Sequence, residues 1–207
     1  MKTDFKKTLD CYRAGRPGEF RVLEVPELTY LAIDGHGDPN AAPEFTAALE
    51  ALYPLAYKLK FMSKAQLGRD YVVMPLEGLW SADDMASFTT ARDKSAWAWT
   101  LLMMVPDWIT QPMLDDARGI VMSTASAAAA SAAGSVRLQT LQEKTCVQTL
   151  HIGSYDDEAP VLQRLHDEVI PELGYRMRGL HHEIYLSDAR RVEPARRRTL
   201  LRQPVTR

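Results

Sequence analysis

From residue 20 onward, short stretches rich in Val, Leu, Ile and Tyr alternate with stretches of helical spacing. FRVLEV (20–25) and LTYLAIDGHG (28–37) close on a glycine-rich turn, which predicts one or two strands. Asp38, Pro39, Asn40 and Pro43 are helix-start residues, and Phe45, Leu49, Leu52, Ala56 and Leu59 follow at steps of three and four. That spacing predicts an amphipathic helix over one sheet face, with Pro54 removing a backbone donor inside it and kinking it. YVVMPLEGLW (71–80) and AWAWTLLMMV (96–105) are further strand candidates, joined by the polar segment 81–95. Thr110, Gln111 and Pro112 open a second helix, whose later part STASAAAASAAG (123–134) reads either as a solvent-side helix end stopped by Gly134 or as a mobile loop.

The pattern then restarts with VRLQTL (136–141) and CVQTLHIGSYDDE (146–158). A helix carrying Val161, Leu162, Leu165 and Val169 follows, then the strands HEIYLSD (182–188) and TLLRQPV (199–205). IDGHGDPN (33–40) overlays HIGSYDDE (151–158), with Gly35 opposite Gly153 and an acidic helix start after each. The expected fold is therefore α+β, an internally duplicated β-α-β-β unit forming an antiparallel sheet, with helices on one face and a central ligand cleft on the other. Residues 1–19 read as an irregular lead-in, with Phe5 and Tyr12 available to dock on the body. Residues 20–207 read as one domain: a first half at about 20–105, an inserted helix at about 110–133 and a second half at about 136–207.

Composition narrows the function. The 207 residues are 46% apolar and 25% charged, enough for one sizeable core. A net charge of -2 leaves no basic excess for nucleic acid, and no helix-turn-helix segment precedes Phe20. Two cysteines, Cys11 and Cys146, read as reduced thiols, and Cys146 as a small buried apolar residue. No apolar leader or run of ~18 apolar residues occurs, so a cytoplasmic chain without a membrane partner is expected, monomeric or a weak homodimer. Between Asp188 and Arg207, seven arginines face only two acids, which reads as a solvated edge. GxGxxG, HExxH, CxxC and GxSxG spacings are missing, and His181, His182 and Glu183 diverge along a strand, so neither cofactor nor metal is expected.

Strand parity selects the candidate chemistry. In HHEIYLSD, Ile184 and Leu186 share the apolar parity expected to meet the helices, which leaves Glu183 and Tyr185 together on the other face. Val72, Met74 and Leu76 likewise leave Tyr71 opposite, and Trp97 and Trp99 share one parity. Either these rings are ordinary core with satisfied polar tips, or they form an aromatic box around an acid that suits a flat or cationic organic guest.

Taken in order, IDGHGDPN, ALEALYPLAYKLKF, DYVVMPLEGLW, WAWTLLMMVPDWIT, CVQTLHIGSYDDE, HHEIYLSDARR and TLLRQPV resemble the GyrI-like small-molecule-binding superfamily from about Phe20 to Val205. More narrowly they resemble its stand-alone bacterial branch that includes cyclopropanoid cyclopropyl hydrolases, which detoxify yatakemycin- and duocarmycin-type alkylators by opening the strained ring. The resemblance implies a catalytic pair at Glu183 and Tyr71. It also implies pocket-wall roles for Glu77, Trp80, Trp97, Trp99, Trp108 and Tyr155. On that reading Glu183 accepts a proton from water, Tyr71 orients the water, and Tyr185 or His151 faces the developing oxyanion. The alternatives are a multidrug-type binder that sequesters amphipathic or cationic aromatic compounds without turnover, and a protein-interaction role such as gyrase inhibition.

Overall fold

The computed structural model describes residues 2–81 and 93–207, so most of the polar segment expected between the two first-half strands lies outside the described residues. The first unit comprises β3 (Leu28–His36), α2 (Pro43–Leu67), β5 (Leu76–Ser81) and β6 (Ala98–Val105). The second comprises β8 (Lys144–Ile152), a helical segment of α5 (Ala159–Gln163), a π turn (Arg164–Val169) and α6 (Ile170–Glu172), then β10 (His181–Tyr185) and β11 (Arg198–Thr206). Their strands pair in the order β8-β11-β10-β5-β6-β3, so the halves meet where β10 pairs antiparallel with β5. The order reads the same from either end, as duplication about a pseudo-two-fold axis requires.

Each half lends a strand to the other. β2 (Phe20–Val25) precedes β3 in sequence but pairs with β8, while β7 (Arg137–Leu141) precedes β8 but pairs with β3. Only Pro26 and Glu27 separate β2 from β3, and only Gln142 and Glu143 separate β7 from β8. Links that short reach about 10 Å, so the two ends of the sheet must curl toward one another. The curled interior is filled by Leu23, Tyr30, Leu102, Leu150, Ile184 and Leu200, closed by Cys11 and Tyr12 of the N-terminal segment.

That segment is ordered. β1 (Lys2–Thr3) pairs in parallel with β4 (Asp70–Tyr71), α1 (Phe5–Thr8) follows, and Phe5 and Tyr12 both pack on the body. A last short strand, β9 (Arg176–Met177), pairs with the end of β11.

On the outer face of the first half, Leu52, Leu55 and Leu59 of α2 pack over Leu31, Leu101 and Met103. The expected single helix after Thr110 is two, α3 (Gln111–Met122) and α4 (Ala127–Ser135). Ser126 starts the second by accepting from Ala129 N, so the Ala/Ser tract is mostly helix and Gly134 lies inside it. Ala129 and Ala133 are buried. None of the described helices is long and apolar enough to cross a membrane.

The odd and even parities of β10 separate as expected, but the partners of the two faces are exchanged. Ile184 packs into the curled interior, whereas Tyr185 packs on the cluster that includes α2. Glu183 therefore opens toward the side on which the helices lie.

Candidate ligand-binding site

Three alternate residues of β10, His181, Glu183 and Tyr185, project from one face of the strand next to the junction of the halves. Tyr185 Oη donates to Glu183 Oε2 at 2.7 Å and itself accepts from Trp80 Nε1 at 3.0 Å. The third member, His181, places Nε2 3.6 Å from Glu183 Oε1. The Glu183 side chain is 13% exposed, so it is largely enclosed without being sealed. Trp80 meets Trp97 edge-on with ring centroids 5.6 Å apart, and Tyr185 meets Tyr155 in the same way at 5.5 Å. Burial and the neighbouring Glu183 charge hold the Tyr185 phenol well above its ordinary range, so it stays a donor.

The helical start of the second half adds an acid that sequence did not single out. Asp157 accepts from Ser154 Oγ at 2.6 Å and Asp156 pairs with Lys94 at 3.0 Å, which leaves Glu158 to turn inward. It is 4% exposed, and its Oε1 is buried without a hydrogen-bond partner. Burial, then the charge of Glu183, raises this carboxyl to about 10. Tyr53, from α2, joins the same neighbourhood, near enough to Tyr155 for the two phenols to disfavour each other's ionisation, and Arg190 lies over its ring at 5.5 Å. Behind Glu183, His166 on the π turn meets His181 edge-on at 5.8 Å, and burial lowers His166 to about 4.

The family model for the GyrI-like small molecule binding domain matches residues 18–206. The chain belongs to the GyrI-like family. A comparison with curated proteins gave no match. Among solved structures, this GyrI-like chain is similar to an uncharacterized conserved protein from Listeria innocua, 33% identical, with a TM-score of 0.87 over 99% of this chain and 100% of that one. Two structures described as hydrolases from the same organism are 33% and 32% identical, with TM-scores of 0.83 and 0.85. The first covers 99% of this chain, the second all of it, and both match over their full length.

Within this GyrI-like frame the expected site residues divide. Glu183, Tyr185, Trp80, Trp97 and Tyr155 are joined by the contacts above. His151 is on the outward parity of β8, with Nε2 3.0 Å from Ser154 O, at the base of the turn that leads to Tyr155 and Glu158. Trp99 pairs across from Trp80 in the ladder but is 3% exposed and edge-on to Phe45 at 5.2 Å, so it is core under α2.

Tyr71 and Trp108 form a separate group. Their rings are 6.2 Å apart near the end of α2, Trp108 Nε1 donates to Ser63 Oγ at 2.9 Å, and Arg69 lies over the indole at 4.5 Å. Tyr71 is 1% exposed, and its hydroxyl has no hydrogen-bond partner. No hydrogen bond therefore joins it to Glu183. The expected single strand 71–80 is broken between β4 and β5 at Pro75, so Met74 faces the curled interior while Leu76 packs on the helix-side cluster.

Glu77 is the clear correction. It is completely buried on the interior parity of β5, where its Oε1 accepts from Tyr12 Oη at 2.6 Å and its Oε2 lies 2.9 Å from His182 Nε2. His182 Nδ1 is 3.0 Å from Glu143 Oε1, and Arg202 donates to Glu143 Oε2 and Gln148 Oε1, each at 2.8 Å. Arg202 also donates to Cys11 O at 2.8 Å. A buried carboxylate needs such pairing, and a cation-lined interior supplies it where the outer face does not. Arg202 likewise corrects the reading of the C-terminal arginines as wholly solvated, since it is 0% exposed.

Proposed function

We propose that this GyrI-like small-molecule-binding protein is a hydrolase that opens the cyclopropane of cyclopropyl-cyclohexadienones of the yatakemycin and duocarmycin type. The observation that carries the reading is the enclosed carboxylate of Glu183, oriented at Oε2 by Tyr185 and bordered by the Trp80, Trp97 and Tyr155 rings. The full-length similarity to two proteins described as hydrolases supports it.

The substrate carries much of the driving force, because ring opening relieves strain and makes the dienone aromatic. Water attacks the ring methylene, the carbon–carbon bond to the spiro centre breaks, and its electron pair flows to the dienone oxygen. Glu183 accepts the water proton, and the resulting phenolate takes up a proton to leave a phenol bearing the hydroxylated methylene. Tyr185 fixes one oxygen of the base. Tyr71 serves by presenting its otherwise unpartnered hydroxyl to the substrate or its water.

General-base help is worth ~10²–10⁴-fold, so Glu183→Gln lowers turnover of a cyclopropyl-dienone by about that factor, followed by chromatography of the product. Hydrolysis at the parental rate in that variant refutes the assignment. A second reading, a binder without turnover, is favoured by the edge-on aromatic pairs beside an acid, which suit a flat guest. It is recognised by a stoichiometric complex, with tryptophan quenching and no product.

A further inference from the structure

The proposed hydrolysis lacks a group to meet the oxygen on which negative charge develops. We propose that Glu158 is that group, a resident neutral carboxylic acid that donates a hydrogen bond to a carbonyl-type oxygen of the guest. This rests on the reading above and narrows the ligand to neutral, oxygen-accepting aromatics or dienones.

Three features of the geometry carry it. Glu158 is buried with Oε1 unpartnered, and a buried polar atom without a partner is rare enough to require an explanation. No basic side chain forms an ion pair with it among the described residues; the charges that reach it belong to Glu183 and Asp156, both acidic. It caps the start of α5 just after Tyr155, the ring that meets Tyr185, and it lies close enough to the base for the Glu183 charge to act on it.

Two carboxyls in one enclosed site do not both ionise, and the proton resides on the one whose desolvation outweighs the donors to its charged form; for Glu158, burial and the Glu183 charge outweigh the Thr199 hydroxyl. Glu183 has the Tyr185 donor and Glu158 has burial, so the proton belongs to Glu158. The high proton affinity of Glu158, caused first by burial and then by Glu183, agrees with this division. The site then carries one negative charge and one acid, a base and a donor held by different environments.

In the reaction the carboxylic O–H of Glu158 breaks as the dienone oxygen takes its proton, while Glu183 gains the water proton. The two carboxyls thereby exchange protonation states, and transfer of one proton from Glu183 to Glu158 through solvent resets them.

The first test needs no ligand. Infrared spectra of the full chain at pH 7 should contain a protonated-carboxyl band that disappears in Glu158→Gln and persists in Glu183→Gln; its presence in Glu158→Gln, or its absence from the parent, overturns the proposal. The second uses 4,4-dimethylcyclohexadienone, which has no ring to open, and its carbonyl-free hydrocarbon counterpart, with tryptophan fluorescence as readout. The parent should prefer the dienone by about fivefold to tenfold, the range of one hydrogen bond. Glu158→Gln, which keeps an N–H donor, should retain the preference and Glu158→Ala should lose it. Equal preference in the parent and Glu158→Ala, or none in the parent, overturns the proposal. Neither test requires turnover, so failure of the hydrolase reading in the Glu183→Gln assay is distinguishable from failure here.

Discussion

Gly78 stands directly opposite Glu183 in the ladder that joins the two halves. A Cβ at residue 78 would come 2.8 Å from Trp80 Nε1 and 3.1 Å from Tyr185 Oη, so the missing side chain makes room for the Trp80–Tyr185–Glu183 chain of hydrogen bonds. Gly78→Ala is expected to displace the indole and the phenol and to cost ~1–3 kcal/mol of stability. Misplacing a reacting group by about 1 Å is worth ~10²-fold in rate, so turnover should fall by that order. Gly119→Ala in α3 is the control: nothing lies within 4 Å of its Cβ position, and a helical alanine should raise the melting temperature slightly. Unchanged turnover in Gly78→Ala would show that the hydrogen-bonded chain is not needed.

Tyr71 and Tyr185 make opposite predictions when their hydroxyls are removed. Tyr185→Phe deprives both Trp80 Nε1 and Glu183 Oε2 of a partner, and each buried group left unsatisfied costs ~1–3 kcal/mol. Tyr71→Phe removes a buried hydroxyl that has no partner, so its melting temperature should equal or exceed the parent's. If Tyr71 meets the substrate, turnover in Tyr71→Phe falls while stability does not. Parallel thermal unfolding and turnover measurements separate the two, and a loss of stability in Tyr71→Phe would mean that its hydroxyl has a protein partner after all.

Legibility in the sequence tracks how many faces of an element are covered. α2 was readable because one face packs on the sheet, leaving Leu52, Ala56 and Leu59 buried at helical spacing and Tyr57 and Phe61 exposed. The pairing of Glu183 with Tyr185 was readable because β10 alternates strictly. In β11 every residue from Thr199 to Val205 is buried, so no alternation distinguishes Arg202 from a surface arginine. Glu77 lies in the same kind of strand, covered on both faces, and its partners Tyr12, His182 and Glu143 are distant in sequence. Glu158 was hidden differently. It ends a run of three acids, and only the fold reveals that Asp157 caps, Asp156 pairs outward and Glu158 turns in.

The Ala/Ser tract gives a prediction about packing. Ala133 is completely buried in α4, and α4 lies against the helical layer that includes Leu114 and Leu55. Small side chains allow that approach, so Ala133→Leu is expected to overpack the interface and cost ~1–3 kcal/mol. Ala128→Leu adds the same volume at an exposed position and should change stability by less than about 0.5 kcal/mol. Chemical denaturation of both variants checks the pair; equal effects would mean that α4 is not packed as described.

The interior ion network sets how stability depends on pH. Burial alone would lower the proton affinity of His182, but the Glu143 carboxylate and the hydrogen bonds to Glu143 and Glu77 outweigh it and raise the group to about 9. For Glu143, burial opposes ionisation, yet the charges of His182 and Arg202 prevail and lower it to about 2. The stabilisation from His182 is complete below its ordinary value of 6.5 and is lost as pH rises through about 9. That from Glu143 is complete above its ordinary value of 4.5 and is lost as pH falls through about 2. Melting temperature should therefore be highest between these ordinary values and decline on both sides. Arg202→Met leaves Glu143 without its guanidinium partner, and removing one member of a buried pair costs ~3–5 kcal/mol. Adding Glu143→Gln to Arg202→Met removes the orphaned charge and should recover part of that loss. In a Glu158→Gln background, which removes the other group that loses stability over this range, a melting temperature that stays level from pH 6.5 to 9 would mean that His182 is neutral in the fold.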